Sequence, residues 1–263
     1  MNMERNGYMD ALKCNGCENR IEYVSETQSK PIGNCVAYVV DNDATQIRFL
    51  RNSINTLRRN YEGDVFIIVD EKFEHSDLFP DCKIVVIADD MIANRLPKRK
   101  GMERKELSYA VFYRLLIPIL EEFKSYGQVL YLDCDTEVVK PISGIFENTD
   151  KEFYGVNEGW LIKVHNERIG HIKHLEKYCN AGVLLINLFR ISGYDEKLSY
   201  MSMLYDNNNL RNNDQDMLNL CFDIGILDRK YNSYPMLEDT SNSVVLHYVN
   251  ALKNILLKKT ESL

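Results

Sequence analysis

No apolar stretch in this chain approaches the roughly 18–20 residues that a membrane-spanning helix requires. The opening segment, MNMERNGYMDALKC, lacks the apolar core of a secretory signal. The sequence therefore predicts a cytoplasmic protein. Basic surface is also scarce: Lys and Arg number 32 against 39 Asp and Glu, for a formal net charge of −7. That balance argues against a broad nucleic-acid-binding face. One basic run, RLPKRKGMERK from Arg95 to Lys105, reads either as a solvated loop or as a loop that meets an anionic ligand. The seven Cys are odd in number and irregularly spaced, which speaks against a disulfide framework. Cys14 and Cys17 form a lone C-x-x-C with no second pair of ligands nearby, so free thiols are expected rather than structural zinc. The tail NILLKKTESL is too short for an amphipathic face, so peripheral membrane contact has no support.

What the chain does contain is ordinary globular material: 263 residues, 45% of them apolar. No internal repeat, low-complexity tract or Gly/Pro-rich linker follows residue 30. Residues 1–30 are polar and weakly periodic and read as an N-terminal extension; residues 31–263 read as a single domain. Regular order starts at Asn34 to Val40, a β-rich run that stops at Asp41-Asn42-Asp43. Ile47, Leu50, Ile54 and Leu57 then recur at helical spacing. Strands are expected at Asp64 to Asp70 and Cys82 to Asp89. Glu106 to Leu120 is apolar at helical period, with Pro118 near its end. This alternation predicts an α/β fold with a mostly parallel sheet flanked by helices. In such sheets ligands bind beyond the carboxyl ends of the strands.

The strongest motif is QVLYLDCDTEVVKPI, Gln128 to Ile142. A buried strand delivers Asp133 and Asp135, and Cys134 faces the other way if the strand geometry continues. Two carboxylates on one side can hold a hard divalent cation that bridges diphosphate oxygens. They can also be strand-end aspartates in a turn. Phosphatases of the haloacid-dehalogenase type share the Asp-x-Asp shape. They carry a Thr two places after the second Asp, however, and Glu137 stands there.

Three further segments follow. In KYCNAGVLLINLFRI, a core strand from Ala181 to Ile186 is preceded by Asn180, whose amide could meet a sugar hydroxyl. Gly182 there permits close approach. In NNDQDMLNLCF, Asp214, Gln215 and Asp216 sit where a helix begins. In SVVLHYVNALKNIL, a strand ends at His247, a structural imidazole or a metal ligand. Lys253, which could pair with a phosphate, lies six residues later. His165, His171 and His174 lie in a stretch with no carboxylate to complete a metal pattern. It reads as a variable, acceptor-side loop.

Together, in order and spacing, the four segments resemble family 8 of the retaining glycosyltransferases, from about Cys35 to Lys253. YLDCDTEVVKPI, CNAGVLLINL, NDQDMLN and HYVNALK are similar to that family's four motifs. The resemblance implies a GT-A (Rossmann-like) fold, a UDP-sugar donor with Mn2+ or Mg2+, and transfer of a hexose such as glucose or galactose. The acceptor it implies is a glycan, glycolipid or lipopolysaccharide precursor. It makes Asp133, Asp135 and His247 metal ligands. Asp41 and Asp43 would lie near uracil and ribose, and Arg114 near the donor sugar or phosphate. Asn180, Asp214 and Gln215 would lie around the donor sugar, the last two as catalytic residues, and Lys253 on the diphosphate. This chain departs from the family at three places. Ala44 replaces a Tyr often stacked on the base, Asn250 replaces Gly, and Asn254-Ile255 replaces Pro-Trp. Those departures leave open a catalytically silent nucleotide-sugar binder.

Overall fold

The computed structural model describes residues 33–97, 109–158, 177–207, 210, 212–249 and 252–260. Its centre is a seven-stranded sheet. The strands are β1 (Asn34–Val39), β2 (Val65–Asp70), β3 (Lys83–Ile87), β4 (Gln128–Leu132), β6 (Phe153–Asn157), β7 (Cys179–Asn187) and β8 (Gly225–Leu227). They are arranged in the order β3-β2-β1-β4-β7-β6-β8. The pairs β1·β2, β2·β3, β1·β4 and β6·β8 are parallel, while β7 pairs antiparallel with both β4 and β6. A separate two-stranded ribbon joins β5 (Thr136–Val138) to β9 (Val245–His247).

Strand alternation assigns each side chain to one of two cores. Cys35, Ala37 and Val39 of β1 face one apolar cluster with Phe66, Ile68, Val129 and Tyr131. Val36, Tyr38 and Val40 face the other with Ile67, Leu130 and Leu132. The second cluster is covered by helix α1 (Ala44–Leu57), whose Ile47, Leu50, Ile54 and Leu57 are buried. The Asp43 carboxylate caps α1 by accepting from the amides of Thr45 and Gln46, both at 2.9 Å. Four more helices complete the described chain: α2 (Asp89–Arg95), α3 (Tyr194–Asn207), α4 (Asn213–Cys221) and α5 (Lys253–Thr260). None of the described helices is long and apolar enough to cross a membrane.

One element differs from expectation. The described part of the expected α-helix over Glu106–Leu120 is a run of 3-10 turns, Tyr109–Ile119. Pro118 has no N–H, and in α-geometry its ring would meet the carbonyl of Arg114. Tighter winding suits a segment in which every residue from Phe112 to Ile117 is buried. The arrangement sends the Arg114 guanidinium across the ends of β4 and β7.

Helix α5 is tied to the ribbon through a buried carboxylate. Glu137 accepts from Asn52 Nδ2 at 3.1 Å, Tyr248 Oη at 2.6 Å and Lys259 Nζ at 2.7 Å. Burial raises its pKa, but the donors, Lys259 first, outweigh burial and hold it below the ordinary 4.5. Its contribution to stability is therefore present above that value and fades as pH falls through the folded-state pKa. Glu137→Ala leaves the Tyr248 and Asn52 donors without a partner and is expected to cost about 2–3 kcal/mol. Urea unfolding at pH 7 measures this; a loss below about 0.5 kcal/mol, the level of an ordinary surface change, would show that the tie carries no weight.

Candidate active site

The order of the strands sets the place. From β1 the chain moves outward to β2 and β3, then crosses back to β4 on the other side of β1. The crevice beyond the carboxyl ends of β1 and β4 is thus the topological switch point of the sheet. A pocket of about 500 Å³ opens there. Its lining includes Asp41 and Asp43 after β1, Asp133 and Asp135 after β4, and Arg114 and Lys253.

Backbone pairing brings the distant residues to it. Leu132 of β4 registers with Val183 of β7, and the Asp133 amide donates to the Gly182 carbonyl at 2.8 Å. The antiparallel β7 therefore starts, with Asn180, where β4 ends. The ribbon pairs Thr136 with His247, and the Tyr248 amide donates to the Asp135 carbonyl at 2.9 Å. That pairing places the imidazole beside the two carboxylates.

His247 Nε2 lies 3.2 Å from Asp135 Oδ1 and 3.6 Å from Asp133 Oδ2. One ligand atom from each of the three lies within 4.8 Å of the others, and among the described residues no other such group is found. Two carboxylate oxygens and an imidazole nitrogen suit an Mn-like ion. A β-carbon at Gly182 would fall 2.2 Å from His247 Cε1 and 2.7 Å from Asp133 Oδ2. Residue 182 must lack a side chain for these groups to converge, and the residues present therefore fit a divalent cation.

The electrostatics point the same way. Burial raises the Asp135 pKa, yet His247 and then Lys253 outweigh it and hold the carboxylate below its usual range. Burial lowers that of His247, yet Asp135 and then Asp133 outweigh it and hold the imidazole above 6.5. The pocket thus favours positive charge at this point. Lys253, the first residue of α5, supplies some of it from 2.8 Å to Asp135 Oδ2.

Arg114 organises the opposite wall. Its Nη1 lies 3.1 Å from Asp133 Oδ1, and its Nε lies 3.1 Å from Asp214 Oδ2. Nη1 also donates to the Ala181 carbonyl at 2.7 Å, and the guanidinium stacks 4.4 Å from the centre of the Tyr131 ring. Tyr131 in turn donates to Asp133 Oδ1 at 2.6 Å. Asp214 is buried in the first turn of α4, after an N-cap, Asn212, that makes no side-chain cap bond. Burial pushes the Asp214 pKa up to about 6, with Arg114 opposing and Asp133 reinforcing the shift.

Gln215 and Asn180 stand together behind this wall. Gln215 Oε1 accepts from Asn180 Nδ2 at 3.2 Å and from the Ala181 amide at 3.0 Å. Gln215 Nε2 donates to Glu158 Oε2 at 2.9 Å and to Tyr178 Oη at 3.0 Å. Asp41 and Asp43 lie at the far end of the pocket lining; Asp43 caps α1 through Oδ1, and Asp41 Oδ1 accepts from the Asp43 amide at 2.9 Å. Cys134 points away from the carboxylates, its thiol 3.1 Å from the Val39 carbonyl, as strand alternation predicts. Five thiols, Cys35, Cys82, Cys134, Cys179 and Cys221, are free. Cys14, Cys17, His165, His171, His174 and Asn250 lie outside the described residues, as does most of the basic run; Arg95 pairs with Asp195 at 2.6 Å on the surface.

Tyr131, Glu158, Tyr178 and Asn232 also belong to the site, and sequence reasoning had not singled them out. Tyr131 looks like one more core residue of an apolar strand. Asn232 lies in a short polar loop with no periodicity to mark it.

A mixed, mostly parallel sheet with acidic residues at its switch point is the GT-A architecture, and solved GT-A glycosyltransferases share it. The fold is similar to that of the galactosyltransferase LgtC, solved with donor and acceptor sugar analogues. The TM-score is 0.64 at 16% identity, covering 87% of this chain and 96% of LgtC. It is similar also to the bifunctional glycosyltransferase WbbM, at TM-score 0.61 and 16% identity over 84% of this chain and 47% of WbbM. Mouse xyloside xylosyltransferase 1 matches at TM-score 0.54 and 14% identity, over 82% of this chain and 97% of its own. These are likenesses of fold. A comparison with curated protein sequences finds no match. The family model of glycosyl transferase family 8 matches residues 36–254. The chain therefore belongs to glycosyl transferase family 8 and is a glycosyltransferase.

Proposed function

We propose that this glycosyltransferase moves a hexose, glucose or galactose, from a UDP-sugar to a glycan, glycolipid or lipopolysaccharide precursor. The reaction needs Mn2+ or Mg2+ and retains the anomeric configuration. The observation that carries this reading is the convergence of Asp133, Asp135 and His247 within 4.8 Å. They meet beside a pocket of about 500 Å³ that also reaches Lys253, Arg114, Asp41 and Asp43.

A divalent ion held by Asp133, Asp135 and His247 would neutralise the diphosphate and the charge that develops on departing UDP. Lys253 offers a second positive charge on the same side. Arg114 holds the Asp133 and Asp214 carboxylates apart and in place. Asp41 and Asp43, at the other end of the pocket, are suited to ribose hydroxyls and the base edge. Asp214 and Gln215 are assigned to the donor-sugar side by the family resemblance, with Gln215 on the side opposite UDP.

Retention rests mainly on the family resemblance, and the engagement of the carboxylates supports it. An inverting transferase needs a carboxylate base to deprotonate the acceptor. Asp133 and Asp135 are assigned to the cation, and Asp214 is buried 3.1 Å from the Arg114 guanidinium. Glu158 accepts from Asn180 and Tyr234 on Oε1 and from Gln215 on Oε2, so it is engaged in holding these side chains. Same-face attack, with the departing diphosphate taking the proton, is the more economical mechanism. A panel of UDP-sugars with Mn2+ should reveal turnover of UDP-glucose or UDP-galactose, and proton NMR of the first-formed product should show an α-linkage from the α-linked donor. A β-linkage would overturn the mechanism, and binding without any turnover would make the chain a silent binder.

A further inference from the structure

Buried hydrogen bonds have a direction, because each donor must meet an acceptor. Behind the candidate metal site that direction can be followed from one end to the other. Gly182 N–H, which can only donate, reaches Asn180 Oδ1 at 2.8 Å. This fixes the Asn180 amide with its oxygen toward Gly182 and its nitrogen toward Glu158 Oε1, a pure acceptor at 3.0 Å. Asn232 approaches the same Asn180 oxygen at 2.9 Å and so must present its Nδ2. The Asn232 oxygen is thereby turned to His247 Nδ1, at 2.9 Å. His247 Nδ1 must then carry a proton, which leaves Nε2 as the atom aimed at Asp133 and Asp135. Asn232 is fully buried and Asn180 nearly so. Asn180 spends both amide directions and both lone-pair directions inside the protein, with Gly182, Asn232, Glu158 and Gln215 as partners.

We propose that Asn232, oriented by Asn180, is a positioning residue that locks His247 in the Nδ1-protonated form and aims Nε2 at the cation. This rests on the reading of Asp133, Asp135 and His247 as the metal site. It gives Asn180 an inward task, distinct from the sugar contact its place in the motif implies. It also links the two halves of the site. Asn180 is hydrogen-bonded to Gln215, so the residue beside the donor sugar and the metal-ligand imidazole share one chain of amides. Residues that hold a ligating imidazole in this way typically change metal affinity by about 10–100-fold when removed.

The test uses the full-length protein, Mn2+ alone as the probe, and nitrogen NMR of the His247 ring at a pH where the imidazole is neutral. A free imidazole in water prefers its proton on Nε2. The metal-free wild type should instead show it on Nδ1. Asn232→Leu should lose that preference and bind Mn2+ about 10–100-fold more weakly. Asn232→Asp retains an acceptor for Nδ1 but loses the donor to Asn180, and should keep the tautomer with partial recovery of the affinity. An Nε2-protonated ring in the wild type would overturn the proposal without reference to any variant. So would an Asn232→Leu protein that binds Mn2+ with the wild-type Kd. Failure of the wild type to bind Mn2+ would overturn the metal reading instead, and the tautomer measurement would still decide the role of Asn232.

Discussion

Gly182→Ala is expected to fold but to lose both cation binding and turnover. Glycine here serves no backbone need, because its φ is not among the positive values found at Gly33 and Gly193. Alanine can therefore occupy the strand, and the surrounding β7 residues are all buried in an intact sheet. The cost falls on the site. The added carbon would lie 2.2 Å from His247 Cε1 and 2.7 Å from Asp133 Oδ2, well inside van der Waals contact. One of these groups must move, and neither can do so freely. Asn232 holds the imidazole from behind at 2.9 Å, and Arg114 and Tyr131 hold Asp133 at 3.1 and 2.6 Å. Ligand displacement on the ångström scale is expected to weaken Mn2+ binding by about a hundredfold or more and to lower turnover at least as much. Mn2+ titration and a UDP-sugar assay on the same preparation, with a thermal melt as the control for folding, measure this. Wild-type Mn2+ affinity in a folded Gly182→Ala protein would place the cation elsewhere.

Asp135→Asn is expected to lower transfer by about a thousandfold or more, the scale on which a lost cation removes several kcal/mol of transition-state stabilisation. Asp135 is the more deeply buried of the two carboxylates. It is buried, it faces His247 Nε2 at 3.2 Å, and it holds Lys253 at 2.8 Å. Asparagine keeps its shape and removes its charge, so both the cation and the orientation of Lys253 suffer together. His247 also loses the main partner that keeps its pKa above 6.5, and its burial then favours the neutral ring. Steady-state turnover of the preferred UDP-sugar, compared with circular dichroism of the same sample, gives the answer. Turnover within tenfold of wild type would mean that the Asp-x-Asp pair is a turn and not a ligand set.

Much of this was legible in the sequence because the chemistry sits at the ends of strongly apolar strands. Val129 to Leu132 could only be a buried strand, and it carries Asp133 and Asp135 beyond its end, where switch-point ligands bind. Asn180, Asp214, Gln215, His247 and Lys253 stood out at strand and helix ends and drew their roles from the family resemblance, and the fold brings Asp133, Asp135, His247 and Lys253 into direct contact. Illegible were features that depend on three-dimensional register. The periodicity of Glu106 to Leu120 could not distinguish α from 3-10 winding, because a segment buried on nearly every side has no polar face to report its pitch. The short β8, three residues long, offers too few alternations to be read. Glu158 follows a strand with no motif around it, and Asn232 acts on His247 only because β9 folds back beside its loop, with Ser233 bridged to Leu246. The full use of Asn180 by internal partners is likewise invisible until those partners are placed.

In the proposed reaction Asp133, Asp135 and His247 hold a cation that joins the protein to a diphosphate. Two carboxylates and a diphosphate repel one another in a partly buried pocket, and Lys253 alone cannot offset both. Calorimetric titration of UDP into the protein, once with Mn2+ and once with a chelator, tests this most directly. Tight binding is expected with Mn2+, and a loss of affinity of about a hundredfold or more in chelator, the scale of removing several kcal/mol of charge compensation. Equal affinity in the two conditions would contradict it.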